Sequence, residues 1–406
     1  MTPCRFCHAP LETVLVDLGE QPPSNSYLVN ADQDETVYPL CAMVCDACHL
    51  VQLDTTVDPG EIFHEDYAYF SSTSASWVAH AKTYADAMIA RFGLNGSSKV
   101  IEAASNDGYL LQHFVSAGVP VLGIEPSASV AAAARERGVA TVEAFFNADT
   151  ATTLKADGHG ADLIAANNVL AHVPDINGFV GGFAVLLNDD GVLTVEFPHL
   201  MNMLEFVQFD TIYHEHYFYL SLLAVEKVFK AHGLRVFDVE EISTHGGSLR
   251  VFACRDGATH TASSGLDAVR AKEAAAGLAN GSAYAGFDAK VKDVRKGLLA
   301  FLATAKAEGK TVVGYGAAAK GNTLLNYCAA DTADIDFVVD ANAWKQGRFL
   351  PGSRIPILGP EHIEAAKPDY VLILPWNLRG EIADQMSHIR TWGGKFVVAI
   401  PKIEVW

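Results

Sequence analysis

The sequence predicts an α/β protein with a small cysteine-rich module ahead of two doubly wound α/β units. Three observations carry this. Five of the seven cysteines, Cys4, Cys7, Cys41, Cys45 and Cys48, fall in the first 48 residues, a stretch without helical periodicity. From Ser76 onward short apolar runs alternate with helical periods, the pattern of parallel strands joined by helices. The alternation restarts at Thr311 after a helical connector rich in Ala, Gly and Ser. The expected units are therefore a module over residues 1–70, a first α/β domain over 71–255 and a second over 256–406.

The elements follow in order. Trp77, Ala81, Tyr84, Met88 and Phe92 recur at helical spacing, which predicts a helix over Ser76 to Phe92. Strands are predicted at 99–103, 121–124, 162–166 and 191–196, with helices between them. A helix from Ser221 to His232 and a strand over Leu249 to Ala253 close the first domain. Phe287 to Lys306 reads as another helix, followed by strands at 312–314, 337–339, 370–374 and 396–400.

Composition narrows the function. The formal charge is −19, which disfavours general nucleic-acid binding, since phosphate contacts are made mainly by basic residues. Apolar residues make up 50% of the chain, yet no apolar run reaches the ~18 residues of a membrane span. The N-terminus, Met1-Thr2-Pro3-Cys4-Arg5, has no basic-then-apolar signal, so a soluble cytoplasmic protein is expected. Clustered cysteines in such a chain suggest metal before disulfides. Cys4-x2-Cys7 and Cys45-x2-Cys48 can each hold two thiolates on one tight turn, and together they complete a tetrahedral S4 site of the structural zinc kind. A loop or hairpin must fill the gap between the pairs. His8 and His49 stand beside the knuckle cysteines as rival ligands, and Cys41 is spare.

In the first α/β domain a strand runs into Glu102-Ala103-Ala104-Ser105-Asn106-Asp107-Gly108, a turn of small residues where ligands bind in such folds. Glu102 and Asp107 make it unsuited to a pyrophosphate and suited to a cationic ligand carrying an amine and a sulfonium. Glu125 closes the next strand, placed to accept both hydroxyls of a ribose. Phe145-Phe146 can cover an adenine, with Phe146 the chosen residue, and Asn167-Asn168 ends the fourth strand. The order strand, turn, strand, Glu, then Asn after strand four resembles a class I S-adenosylmethionine methyltransferase. Ser105, Asn106 and Gly108 are then expected at the cofactor as well.

The run Asp210-Thr211-Ile212-Tyr213-His214-Glu215-His216-Tyr217 is dense in histidines, acids and aromatic rings. A histidine is the natural general base near pH 7, a tyrosine hydroxyl can donate to a developing oxyanion, and a glutamate can orient an imidazole or a hydroxyl. His172 follows the fourth strand, where the fold faces the methyl donor. Tyr67 lies in an aromatic segment placed to act as a lid. In the last domain Gly314-x-Gly316-x-x-Ala319 follows a strand and Asp340 ends the next, which is close to a dinucleotide fingerprint. Lys320 at that helix start suits a diphosphate.

Over essentially its full length the chain resembles the zinc-containing, S-adenosylmethionine-dependent C-methyltransferases of nucleotide-linked 4-keto deoxysugars, enzymes that make branched sugars for antibiotics and surface glycans. The resemblance rests on Cys4, Cys7, Cys45 and Cys48, on the Glu102-to-Gly108 turn, on Tyr213-His214-Glu215-His216, on Gly246-Gly247-Ser248-Leu249-Arg250 and on the loop from Gly314 to Asn322. It implies active-site roles for Tyr67, His172, Tyr213, Glu215 and His216. It also implies that the last domain, through Gly316, Lys320 and Asn322, holds a sugar nucleotide rather than NAD. Methylation at C-3 or at C-5 is left open by the residues, and the preference for C-3 follows from the resemblance alone.

The mechanism these residues allow starts with proton removal by His216, giving an enolate that Tyr213 and Tyr67 hydrogen-bond. His216 is preferred to His214 because Tyr213 and His216, three apart, share a face of a turn. A NAD-dependent sugar dehydrogenase or epimerase is the rival reading; it uses Asp340 and leaves Glu102, Glu125 and the Tyr-His-Glu-His run idle. A non-catalytic zinc and nucleotide-sugar binder is the third. The nucleotide, the sugar and the oligomeric state are left open by the sequence.

Overall fold

Two knuckles and a hairpin begin the chain. The computed structural model describes residues 2–57 and 70–406. Strands β1 (Thr13–Gln21) and β2 (Tyr38–Val44) pair antiparallel and fill the gap between the cysteine pairs, and β3 (Val51–Leu53) pairs with β2. The second cysteine pair forms the turn between β2 and β3. In each knuckle the residue after the second cysteine adopts the left-handed conformation, His8 at φ 62° and His49 at φ 65°. Their N–H groups donate to the carbonyls of Cys4 (2.9 Å) and Cys45 (2.7 Å). The two histidines thus serve the backbone turns, and the described metal-type cluster contains the four cysteines without them.

The middle unit runs α1 (Ala75–Phe92), β4 (Val100–Ala103), α2 (Leu111–Ser116), β5 (Val121–Ile124), α3 (Ala128–Glu136), β6 (Thr141–Val142), α4 (Ala148–Ala156), β7 (Ala161–Asn167), α5 (Ile176–Leu186) and β8 (Leu187–Pro198). It continues with α6 (Leu200–Glu205), β9 (Phe218–Tyr219), α7 (Leu222–Ala231), β10 (Leu234–Ile242) and β11 (Ser248–Arg255). Helix α1 starts where Ser74 accepts the Trp77 N–H and stops at Gly93, whose φ of 63° costs glycine little. The seven-stranded sheet has the order β10-β11-β8-β7-β4-β5-β6, parallel except for β11, which runs against both neighbours. From β4 the chain builds outward to β6, then returns to place β7 on the other side. The carboxyl ends of β4 and β7 therefore flank the crevice where this topology binds ligands.

The last unit comprises α8 (Ser264–Ala276), α9 (Phe287–Ala307), β12 (Val312–Tyr315), α10 (Ala319–Cys328), β13 (Val338–Val339), β14 (Ile357–Leu358), α11 (Glu361–Ala366), β15 (Tyr370–Ile373), α12 (Arg379–Gln385), β16 (Lys395–Val398) and β17 (Glu404–Val405). Its six-stranded sheet is ordered β14-β13-β12-β15-β16-β17 and is parallel up to the antiparallel edge strand β17. Helix α8 packs on β10 and α7. The buried Glu273 carboxylate there accepts the N–H groups of Leu222 (2.6 Å) and Leu223 (2.8 Å). Packing on the middle unit thus runs on through α8, beyond residue 255.

The N-terminal hairpin is a joint between the two α/β units. Val51 of β3 pairs with Tyr219 of β9, so one strand of the middle unit completes the module's four-stranded sheet. Leu15, Val16 and Leu18 share a buried cluster with Leu298, Leu302 and Leu324 of the last unit. At roughly 1.5–3 kcal/mol per buried aliphatic side chain, this joint stabilises the arrangement substantially. Among the described residues no helix is long and apolar enough to cross a membrane.

Candidate active site

The turn after β4 is built from backbone conformations most residues avoid. Ala104 (φ 56°), Asn106 (φ 50°) and Gly108 (φ 77°) are all left-handed. Two non-glycine residues in that region cost about 1–3 kcal/mol each and persist where surrounding structure enforces them, commonly at ligand sites. Asn106 Oδ1 accepts the Ser71 N–H at 2.8 Å, and Arg137 pairs with Asp107 Oδ2 at 2.7 Å. Gly108 is required by its φ and by Val139, which a Cβ would meet at 3.0 Å. Ser105 tucks against Gly123, where a Cβ would lie 2.4 Å from its hydroxyl oxygen.

Buried polar atoms without protein partners converge here: Glu102 Oε2, Ser105 Oγ, Asp107 Oδ1 and Asn167 Oδ1. Burial, with Glu125 and Asp107 nearby, pushes the Glu102 carboxyl well above its usual range. Glu125 is also raised by burial, while its oxygens accept the N–H groups of Asn106 and Ser127, both at 3.0 Å. Each oxygen keeps a lone pair for a further donor. Three acids with spare acceptors around a strained turn fit a cationic nucleoside, so these residues match S-adenosylmethionine. The Phe146 ring stacks on Phe183 (5.0 Å between centroids) and meets Phe179 edge-on (5.3 Å) at the margin of the core, while Phe145 stands 60% exposed.

The segment after α6 holds the second half of the site. His216 Nδ1 lies 2.8 Å from the Thr211 carbonyl, which can only accept, so Nδ1 carries the proton. Nε2 then accepts the Tyr213 hydroxyl at 2.9 Å. His172 approaches the same imidazole edge-on, 4.6 Å between ring centres. Burial, with His172 and Lys320 adding, drives His216 well below the usual histidine range. Burial pushes His172 down to about 4, opposed by the Glu215 carbonyl. Both rings are therefore neutral at pH 7.

His214 faces elsewhere, as the three-residue spacing implies: its Nε2 is 3.3 Å from the Pro39 carbonyl and its ring meets Tyr38. The Glu215 carboxylate accepts from Asn25 Nδ2 at 3.0 Å and leaves Oε2 without a partner. It touches no histidine in the described bonds; the Glu215 carbonyl is the group facing His172. Tyr67 lies outside the described residues.

The last unit meets the site through loops that sequence reasoning missed. Asn25 and Tyr27 come from the segment between β1 and β2. Tyr27 donates to the Ala317 carbonyl at 2.6 Å, and Lys345 reaches the same oxygen at 2.6 Å. Asp340 accepts the N–H groups of Ala317 (2.9 Å) and Asn342 (2.8 Å). Asp340 thus holds the turn itself through one N–H on each carboxylate oxygen. Gly316 (φ 91°) is needed because a Cβ would lie 2.5 Å from Pro375. Asn322 is fully buried and donates to the Ser24 carbonyl at 2.5 Å. Both residues are held in the packing of the turn, and Asn322 Oδ1 is buried without a protein partner. Lys320 instead lies over the Trp376 ring at 4.7 Å and bonds Asn377 at 3.2 Å. A signal for Asn25 was present, since Pro22-Pro23-Ser24-Asn25 cannot continue a strand ladder; its partner was not.

The four knuckle sulfurs lie within 4.8 Å of one another, with Cys4 to Cys48 at 3.6 Å and Cys7 to Cys45 at 3.5 Å. A tetrahedron with ~2.3 Å Zn–S arms has edges of ~3.8 Å, so the set fits zinc and leaves no open position. Gln52 donates to Cys4 Sγ at 3.1 Å, the outer bond such ligands usually receive. Since the module joins both α/β units, Cys45→Ser should lower the melting temperature and the soluble yield, with zinc content falling below one per chain. A zinc-free protein of unchanged stability and activity would contradict this.

Three family models match the chain in succession: "Putative zinc binding domain" over residues 4–63, "Methyltransferase domain" over 77–239 and "C-methyltransferase C-terminal domain" over 243–401. The C-methyltransferase NovU of Streptomyces niveus is 38% identical over 405 residues, covering 99% of this chain and 96% of that protein. A ubiquinone biosynthesis O-methyltransferase of Rhodopseudomonas palustris is 27% identical over 162 residues, covering 35% of this chain and 62% of that protein. Among solved structures, the magnesium protoporphyrin IX methyltransferase of Synechocystis PCC 6803 with bound SAH aligns at a TM-score of 0.35 and 15% identity, over 44% of this chain and 83% of that one. With the strained acidic turn, the zinc knuckles and a full-length relative in agreement, the chain belongs to the family of zinc-binding, S-adenosylmethionine-dependent C-methyltransferases.

Proposed function

We propose that the protein methylates the carbon next to the ketone, C-3, of a nucleotide-linked 4-keto deoxysugar, with His216 taking the proton. One observation carries the reading: a half-buried, neutral imidazole whose tautomer is fixed by Thr211 and whose basic Nε2 is paired with the Tyr213 hydroxyl. An oxygen or nitrogen acceptor already offers a lone pair. A carbon acceptor needs its proton removed first, beside a carbonyl that can take up the charge. The resemblance of the Tyr213-to-His216 run supports the sugar as substrate.

When bound, S-adenosylmethionine supplies an electrophilic methyl group. The chain does the rest. Glu102, Asp107 and Glu125 bind the cation and ribose, Asn167 closes the strand end, and Phe145 covers the adenine. His216 Nε2 accepts the α-proton and Tyr213 holds the oxygen of the resulting enolate. His172 packs beside the base, and Glu215 with Asn25 receives a sugar hydroxyl. The Tyr213–His216 bond also favours a second reading, in which the α-proton passes to the Tyr213 oxygen as its own proton moves to Nε2. Combining Tyr213→Phe with His216→Asn separates the two: independent donor and base roles make the losses in α-proton exchange multiply, whereas in a relay the second substitution adds little.

Two expectations test the cofactor half. Glu125→Ala should weaken S-adenosylmethionine binding by roughly 1.5–3 kcal/mol per lost ribose bond, leaving nucleotide binding nearly unchanged by calorimetry. Glu102 is raised in the free protein, and a bound cation favours its ionised form. Cofactor binding should therefore release a proton, and affinity should rise with pH through that raised value. Calorimetry in buffers of different ionisation heat reads the released proton directly; uptake would contradict the assignment.

A further inference from the structure

The junction between the middle and last units contains a half-buried cation that the mechanism above leaves idle. Lys320 sits in the first turn of α10 and turns toward the loop after β15. Its ammonium lies over Trp376 and has one described hydrogen-bond acceptor, Asn377 Oδ1 at 3.2 Å. No carboxylate comes within ion-pair distance of it among the described residues. An ammonium has three donors, so two remain for a ligand.

Its surroundings aim it at the reaction centre. Trp376 donates its indole N–H to Asp210 Oδ2 at 2.7 Å. Asp210 belongs to the short turn Phe209–Thr211, whose Thr211 carbonyl fixes His216. The Trp376 ring also lies against Gly246, where a Cβ would sit 2.4 Å from it, beside His245. Lys320 and the base are thus linked through Trp376 and the Asp210–Thr211 turn. The Asp210 Oδ1 atom is buried without a partner, so this is a built polar site. The ammonium is felt across it: it depresses His216 and, after burial, pushes His245 down toward about 4.

The chemistry has a matching gap. A neutral imidazole held below its usual pKa is a weak base for a carbon acid, and Tyr213, whose hydroxyl pairs with that base before the proton moves, gives the enolate oxygen one neutral donor. A second donor that carries a fixed charge in a water-poor site stabilises the oxyanion further.

Building on the proposed reaction, we propose that Lys320 is a catalytic residue whose ammonium donates a hydrogen bond to the ketone oxygen as it becomes an enolate, rather than a ligand of the diphosphate. The C–H pair moves into the carbon–carbon bond, the carbonyl π pair moves to oxygen beside Lys320, and the proton goes to His216 Nε2. In the next step the carbon–carbon pair forms the bond to the methyl group, the S–CH3 pair stays on sulfur, and the carbonyl re-forms. Lys320 remains protonated throughout. Trp376 and Asp210 act as positioning residues.

Lys320→Met and Lys320→Gln test this in the full-length zinc-loaded protein. Three quantities are read: the dissociation constants of dTDP and GDP alone, that of S-adenosylmethionine, and the α-proton exchange rate at saturating 4-keto sugar nucleotide. The proposal expects all three dissociation constants to stay within about 2-fold while exchange falls by about 10²–10³-fold. Nucleoside diphosphate affinity weakened 10-fold or more, with wild-type exchange at saturation, would make Lys320 the diphosphate ligand and overturn the proposal. Unchanged exchange and affinity would also overturn it. Failure of the wild-type protein to exchange or methylate any 4-keto sugar nucleotide would instead sink the underlying reading. Unaltered S-adenosylmethionine affinity in either variant certifies its fold.

Discussion

His216→Asn should cut turnover by at least about 10²-fold while the zinc, the cofactor and the nucleotide still bind. The asparagine amide can keep a bond to the Thr211 carbonyl but offers no basic nitrogen to Tyr213 or to substrate. The defect should extend to exchange of the sugar's α-proton into deuterated water, since that step uses the base and not the methyl group. His214→Asn should be milder, because His214 faces Pro39 and Tyr38 on the hairpin side. If His216→Asn exchanges at the wild-type rate but fails to methylate, the base lies elsewhere, and His172, 4.6 Å away between ring centres, inherits the role.

The second large effect concerns stability. Glu196, at the end of β8, is completely buried and shares Oε1 with Arg250 Nε and a second guanidinium nitrogen, both at 2.6 Å, while His80 meets Oε2 at 3.0 Å. Arg250→Leu would strand that carboxylate. Removing one partner of a buried pair costs about 3–5 kcal/mol, so the middle domain should melt roughly 6–20 °C lower. Adding Glu196→Gln should recover part of the loss, since the unpaired charge is then gone. Burial raises the Glu196 carboxyl, but His80 and Arg250 outweigh it and leave it below the usual range. A depressed carboxylate stabilises the fold above its unfolded pKa, and this contribution is lost as pH falls through the folded value. Wild type should therefore lose stability in that acid window, and the double variant should lose less. Full retention of the melting temperature by Arg250→Leu would contradict this account.

What was legible in the sequence was local. The period from Trp77 to Phe92 gave α1 to within one residue of its start, and the runs at 121–124 and 370–373 became strands because every position there is apolar on a two-faced sheet. The knuckles and the common face of Tyr213 and His216 followed from spacing alone. Illegible were the contacts that join distant segments. Nothing in Asn25 or Tyr27 announces a partner 190 or 290 residues away. Asn322 and Gly316 look like nucleotide ligands because small and polar residues after a strand usually are; that the Ser24 carbonyl and the Pro375 ring pack against them could not be read from the sequence. Phe145 and Phe146 are chemically identical, and which one enters the core depends on where Phe179 and Phe183 of α5 arrive.

The central claim is that this chain makes a carbon nucleophile by removing a proton next to a ketone and then methylates that carbon. The direct measurement incubates the zinc-loaded protein in deuterated water with S-adenosylmethionine carrying a 13C methyl group and a nucleotide-linked 4-keto-6-deoxysugar, and follows both labels by NMR. The account predicts a 13C methyl bonded to the ring carbon beside the ketone, and deuterium at that same carbon when the methyl donor is withheld. A 13C methyl found on a sugar oxygen or nitrogen, or carbon methylation by a protein in which His216→Asn leaves deuterium exchange untouched, would contradict it.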